Sequence, residues 1–124
     1  MRLLLVPWSG MPGFMLRVYK TSRILPYHDC LEISTFTGQT IALKLFDMYA
    51  EEKRLTTFNP NHSLRMAVEI KLPDDVGERL LRLLSALSRV KPSILRRKTF
   101  RMLAENPSLE ELERVLAVTK LVNG

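Results

Sequence analysis

The chain changes from strand to helix within residues 64–87, which read LRMAVEIKLPDDVGERLLRLLSAL. In the first nine of these residues apolar side chains alternate with polar or small ones, and a period of two is typical of a strand with one buried face. After Pro73 the apolar residues recur about every 3.6 positions instead; they are Val76, Leu80, Leu83, Leu84 and Leu87. The stretch therefore predicts a strand over 64–72 that leads into an amphipathic helix.

Strand patterns also occur upstream of this stretch. An apolar run from Arg2 to Trp8 ends at Ser9-Gly10-Met11-Pro12-Gly13, and Phe14, Leu16 and Val18 then alternate with Met15, Arg17 and Tyr19. Glycine and proline break regular structure, so this order predicts a hairpin or two neighbouring strands. A third short strand is predicted over 31–35, ending at a turn at Thr37-Gly38.

Residues 40–55 carry a mixed pattern. Ile41, Leu43 and Leu45 alternate as in a strand, whereas Ile41, Leu45 and Met48 recur as in a helix. No glycine, proline or β-branched residue occurs over 42–55, and their absence favours a helix. We therefore predict a helix from Thr40 to Leu55, followed by a turn at 59–62.

Three helices are predicted after Pro73. Asp74 and Asp75 favour the start of the first, because acidic side chains cap a helix and stabilise the positive end of its dipole, and Pro92 ends it. Ser93 is expected to cap the second, over 94–105. Ser108-Leu109-Glu110-Glu111 has the pattern of a capping box that begins the third.

These elements predict the α+β class. We expect an N-terminal, mostly antiparallel sheet of about four strands with one intervening helix, followed by a C-terminal three-helix region packed on it. The length of 124 residues suits a single domain over 1–124, with a strand-rich half over 1–73 and a helical half over 74–124. Hydrophobic residues make up 46% of the chain and charged ones 26%, a balance typical of a packed core.

The stretch from Phe100 to Lys120 resembles the first two helices of a helix-turn-helix domain, with Ala117-Val118-Thr119 in place of the turn. In such a domain a recognition helix follows and enters the major groove, whereas only residues 121–124 remain here. Because of this departure from the motif, we expect one helix over 109–122 and assign the chain to no family.

The composition restricts the cellular compartments in which we expect the protein. The single cysteine, Cys30, cannot form an intramolecular disulfide or a multi-cysteine zinc site, which fits a reducing compartment. No apolar run approaches the length of a membrane span. We therefore expect a cytoplasmic protein with no membrane partner. Arginine outnumbers lysine twelve to seven, a bias that can accompany life at high temperature.

Positive charge is concentrated between Arg79 and Ala104. This segment has eight basic residues and no acid, whereas the rest of the chain has eleven basic and thirteen acidic residues, so the net charge of +6 is local. Phosphates are the expected partner, because arginine binds them bidentately and each neutralised phosphate releases counterions. The predicted phosphate contacts are Arg79, Arg82, Arg89, Lys91, Arg96, Arg97, Lys98 and Arg101.

Nucleic acid is thus the predicted partner. Single-stranded DNA or RNA is favoured, because aromatic side chains on a sheet can stack on bases; the candidates are Trp8, Tyr19, Tyr27 and Phe58. Two alternatives stay open. The arginines can form a solvated face paired with Glu51, Glu52, Glu110, Glu111 and Glu113. Otherwise the basic residues, or the leucine side of the last helix, dock on a protein or on a second copy of this chain.

Candidate catalytic groups are few. Glu69 and Lys71 fall on one face of the predicted strand, and a Glu-x-Lys pair with an upstream aspartate, Asp29 or Asp47, is how many metal-dependent nucleases hold Mg²⁺ and activate water. His28-Asp29-Cys30 cannot converge on one metal, because adjacent side chains diverge. A nuclease is therefore a third hypothesis, and we expect no catalytic residue, metal or cofactor.

Overall fold

The computed structural model describes residues 1–10, 13–20, 30–58 and 65–123, and within them it confirms the predicted α+β class. The strands are β1 (Arg2–Gly10), β2 (Gly13–Lys20), β3 (Leu31–Ile33), β4 (Glu52–Phe58) and β5 (Arg65–Lys71). The helices are α1 (Phe36–Tyr49), α2 (Asp74–Ser88), α3 (Pro92–Leu95), α4 (Lys98–Glu105) and α5 (Leu109–Asn123). No helix in these ranges is long and apolar enough to cross a membrane.

The described strands form one antiparallel sheet in the order β3-β2-β1-β5-β4. β1 and β2 pair as neighbours in the chain, with Leu5 opposite Val18, and β5 lies on the other side of β1, with Val68 opposite Leu5. The predicted pairing of the first two strands is therefore confirmed, and the predicted strand over 64–72 is confirmed as β5. β3 and β4 are the edge strands.

The main core lies between the sheet and the helices. Because successive strand residues point to opposite faces, Leu3 and Leu5 enter this core, where they join Phe46 of α1 and Leu84 of α2. The opposite face of the sheet buries a smaller cluster, which consists of Leu4, Val6, Tyr19 and Ala67. The main core therefore contains residues of both the strand-rich and the helical half of the chain.

The helix predicted from Thr40 to Leu55 is wrong at both ends. α1 begins at Phe36, so that the predicted turn at Thr37-Gly38 is its first turn and the strand predicted over 31–35 stops at Ile33. The last predicted residues of that helix belong instead to β4, where Leu55 pairs with Val68 of β5. Backbone pairing with a distant strand thus overrides local helix propensity, and it raises the strand count from about four to five.

The helix predicted over 94–105 is divided into α3 and α4. On one continuous helix, at 100° per residue, four of the apolar residues of this segment would spread around more than half of the circumference, so they could not share one core. In the structure all four are buried; they are Ile94, Leu95, Phe100 and Leu103. Arg97 is extended, with φ −68° and ψ 153°, and this break turns α4 so that its apolar side also faces inward.

The signals at the helix starts are confirmed in part. α2 begins at Asp74 as expected, with Asp74 and Asp75 in its first turn, but Pro73 is its N-cap and no side chain caps it, so the expected capping by an aspartate is wrong. Before α5, the Ser108 hydroxyl accepts a hydrogen bond of 3.1 Å from the Glu111 N–H, as a capping box requires, and α5 continues as one helix. Ser93 does not cap a helix, because Pro92 takes the first position of α3 and Ser93 lies inside it.

Candidate nucleic-acid interface

Six exposed cations lie where the end of α2, the short α3 and the start of α4 follow one another. We call them the basic surface: Arg89, Lys91, Arg96, Arg97, Lys98 and Arg101. The buried apolar residues of the same segment, such as Leu95 and Phe100, anchor it to the core. These anchors hold the backbone in place and leave the cations on the outside.

The positive charges of the basic surface are not balanced by carboxylates among the described residues. In the part of the chain that the structure describes, none of its six residues forms an ion pair with a carboxylate. By contrast, Arg2 and Lys53 of the sheet are paired: Arg2 lies 3.1 Å from Glu69, and Lys53 lies 2.7 Å from Asp47. A group of uncompensated charges of one sign attracts counterions and charged partners.

The start of α4 adds to this positive field. Arg97 is the N-cap residue of α4 and makes no side-chain cap, and the first turn has no acidic residue. Arg97 and Lys98 therefore stand at the positive end of the helix dipole, where carboxylates are usual. An anion bound there would neutralise the side chains and interact favourably with the helix terminus.

Arg79, which the sequence analysis placed among the phosphate contacts, differs from the basic surface because it has carboxylate partners. Its Nε donates a 2.6 Å hydrogen bond to Glu113, and Glu110 lies 3.7 Å from its Nη1, so Arg79 links α2 to α5. This hydrogen bond lowers the pKa of Glu113 and raises the pKa of Arg79. Arg82 is exposed, and its charge contributes to the lowered pKa of Glu113. The alternative interpretation, in which the arginines are paired with glutamates, therefore applies to Arg79 but not to the six residues of the basic surface.

A groove of about 640 Å³ flanks the basic surface beside α4. Lys98 and Arg114 border it, and Met102, which is 58% exposed, supplies apolar surface. Arg114 donates a 2.7 Å hydrogen bond to Glu111 and also borders a cavity of about 90 Å³ with Arg97. The sequence reasoning missed Arg114, because its neighbours in the chain are acidic and only the packing of α5 against α4 brings it near the cations.

Of the four aromatic side chains expected to stack on bases, the structure describes those of Trp8 and Tyr19. Tyr19 is 4% exposed in the second core cluster, and this burial excludes it from stacking on a base. Trp8 is half-buried, and the Arg17 guanidinium lies 4.4 Å from the centre of its ring. Tyr27 lies outside the described residues, as does the side chain of Phe58, whose backbone ends β4.

Of the groups proposed for a nuclease, Lys71 is exposed on β5, and the carboxylates are paired with other residues or lie outside the described residues. Glu69 pairs with Arg2, Asp47 pairs with Lys53, and Asp29 lies outside the described residues. Over 1–10, 13–20, 30–58 and 65–123, no three histidine, cysteine, aspartate or glutamate side chains come together to hold a metal ion. Burial raises the pKa of the Cys30 thiol, which disfavours the nucleophilic thiolate.

Comparison with known proteins finds no match for this chain among protein families, curated proteins or solved structures. The function must therefore be inferred from the chemistry of the surface itself. In the described part of the chain, the function is inferred from the basic surface and from the groove beside α4.

Proposed function

We propose that the protein binds nucleic acid without catalysing a reaction, and that the basic surface contacts the phosphates. The observation that carries this proposal is the set of six exposed cations without a carboxylate partner among the described residues. Arg79 shows that this chain pairs an arginine with glutamates where a helix contact needs it. The basic surface lacks such partners, which leaves its charge free to act on an external anion.

A polyanion fits this surface better than a small anion does. The six cations extend along thirteen consecutive residues, 89–101, instead of converging on one point. Arg97 and Lys98 border different cavities, and Lys91 borders neither of them. Regularly spaced phosphates of a nucleic-acid backbone match such an arrangement, because each cation can neutralise one phosphate independently.

Single-stranded DNA or RNA is the proposed form. The groove beside α4 has a volume of about 640 Å³, within the usual range for small-molecule sites, and this volume supports the proposal that an unstacked base enters it. There the base would contact the apolar side chain of Met102, while a flanking phosphate reaches Lys98; Arg114, which also borders the groove, is bonded to Glu111. This support comes from the groove and does not depend on the aromatic residues of the strands.

Fluorescence anisotropy with labelled single- and double-stranded oligonucleotides tests the proposal between 50 and 200 mM salt. Six phosphate contacts predict a slope of log affinity against log salt of about −4 for single strands and about −5 for duplex. The affinity should then fall roughly 300- to 2000-fold across this range. A slope near zero, or tighter binding to polyglutamate than to either oligonucleotide, would assign the basic surface to another role.

A further inference from the structure

Five large apolar side chains are exposed at the junction of α1 and the sheet. Three of them lie on strands and two on α1, and we call them the apolar face: Phe14, Leu55, Met66, Phe36 and Leu43. Their exposed fractions range from 46% for Leu43 to 85% for Phe36. Exposure of this many large apolar groups on one side is typical of an interaction surface.

Strand register makes the sheet part of this face continuous. Leu55 lies opposite Val68, and Val68 lies opposite Leu5. Residues directly opposite in a sheet share a face, as do residues two apart on one strand. Met66, two residues before Val68, therefore lies on the same face as this row. Phe14 also belongs to this face of the sheet, since it lies two residues from Leu16 of the main core.

Helix α1 extends the face beyond the sheet. Leu43 borders a groove of about 450 Å³ together with Phe14, Leu5 and Val68. Phe36 precedes Leu43 by seven residues, or two helical turns, and therefore lies on the same side of α1. The Gln39 amide on this side donates a 3.3 Å hydrogen bond to the Phe14 carbonyl, which fixes the helix against β2.

The exposed area is close to what a stable dimer needs. With about 200 Å² for a large apolar side chain, the exposed fractions correspond to roughly 600 Å². That lies at the upper end of the largest apolar patch found on single-chain proteins, about 300–600 Å². A standard interface buries about 800 Å² per partner, so a surrounding rim of polar contacts would complete it.

The charges around the apolar face allow it to meet a copy of itself. Its border holds the Lys53–Asp47 ion pair, which is neutral, and Lys44, whose ammonium donates hydrogen bonds to the carbonyls of Ala104 and Glu105 at the end of α4. The basic surface, in contrast, would repel its own copy. Two copies of a chain with net charge +6 therefore associate most favourably through the apolar face.

We infer that a second copy of this chain docks on the apolar face, so that the protein forms a two-fold symmetric homodimer. Two-fold interfaces use the same patch on both subunits. Among the described residues, the border of the apolar face carries one neutral ion pair and one unbalanced charge, Lys44, whereas the basic surface would bring six cations of each copy together. The interface differs from the leucine side of α5 considered from the sequence, because Leu109, Leu112 and Val115 are buried in the core. The dimer does not depend on nucleic-acid binding.

Sedimentation velocity without nucleic acid tests this inference. The parent protein should sediment as a dimer within about 1 to 100 µM, a range that covers moderate affinities. Met66→Glu places an unpaired carboxylate on the apolar face of each subunit and should weaken the dimer by about 100-fold or more. Met102→Glu is the matched control, since Met102 and Met66 are 58% and 60% exposed, and it should leave the dimer intact.

Each outcome bears on the inference. A parent protein that stays monomeric throughout this range would overturn it, and so would equal weakening by the two substitutions. If Met66→Glu fails to give the circular dichroism spectrum of the parent, Leu43→Glu replaces it, because glutamate suits an exposed helix position. Retention of the dimer by a folded Leu43→Glu protein would then contradict the apolar face as the interface.

Discussion

Simultaneous replacement of Arg97, Lys98 and Arg101 by alanine should remove half of the phosphate contacts proposed for the basic surface. All three side chains are exposed and form no ion pair with the described carboxylates. Alanine has the highest helix propensity, so α4 should persist. The substitution therefore removes charge while it retains the fold. Circular dichroism and the thermal unfolding midpoint can verify that the fold is retained.

The expected magnitude follows from the number of charges removed. Each phosphate contact contributes about 0.7 to the salt slope for single strands and about 0.9 for duplex, so three lost contacts reduce its absolute value by about 2 to 3. The loss of affinity between 50 and 200 mM salt should shrink to roughly 20- to 40-fold. Anisotropy titrations of one labelled oligonucleotide at several salt concentrations measure this change.

A second triple variant separates local charge from net charge. Lys20, Arg54 and Lys71 are exposed residues of the strands, and their replacement by alanine lowers the net charge by the same amount. We expect the salt slope of this variant to stay within one unit of the parent value, which is about one phosphate contact. Equal slopes for the two triple variants would refute the assignment of the phosphate contacts to the basic surface.

Three further predictions concern the structure that supports this surface. Arg79→Ala should leave the salt slope unchanged while lowering the urea midpoint, because Arg79 bonds to Glu113; a reduced slope would place Arg79 in the interface. Gly38→Ala should destabilise the fold by about 1–3 kcal/mol, since the added Cβ would lie 3.0 Å from a methyl group of buried Ile33; a higher urea midpoint would contradict this. The pKa values of Glu113 and Asp74 lie below their ordinary values of 4.5 and 3.8, the first because of the Arg79 hydrogen bond and the second because of the N-terminal ammonium. The stability that these carboxylates contribute is present above those values and is lost as the pH falls through the lower folded pKa values. The urea midpoint of the parent protein should therefore decrease as the pH falls along that range. The midpoint of Glu113→Gln should decrease less, because this variant lacks one of the two carboxylates.

The fold class was predictable because it depends on local periodicity. The alternation that ends at Leu72 and the helical spacing that begins at Val76 are properties of neighbouring residues, and both appear in the structure as β5 and α2. β4 was not predictable in this way. Leu55 follows residues with good helix propensity, and its strand conformation comes from pairing with Val68, a contact that no local pattern contains.

The sequence predicted which segment carries the positive charge, but it could not predict which cations of that segment form ion pairs. Arg79 and Arg97 are both arginines in the same acid-free segment, and the sequence assigned them one role. Their difference arises from Glu113, thirty-four positions after Arg79, which the packing of α5 on α2 brings within 2.6 Å of it. The exposure of Phe36 has the same origin: an aromatic residue normally predicts burial, and only the arrangement of α1 on the sheet leaves this one outside.

The position of Trp8 gives the protein an intrinsic optical probe of its strands. It is the one tryptophan of the chain, it lies opposite Met15 in the β1–β2 pair, and it packs against the Arg17 guanidinium, so its emission depends on that pairing. Far-ultraviolet circular dichroism is dominated instead by the helices. If both signals change at the same denaturant concentration, the two halves of the chain unfold as one cooperative unit. If they change separately, the single domain expected over 1–124 divides near Pro73.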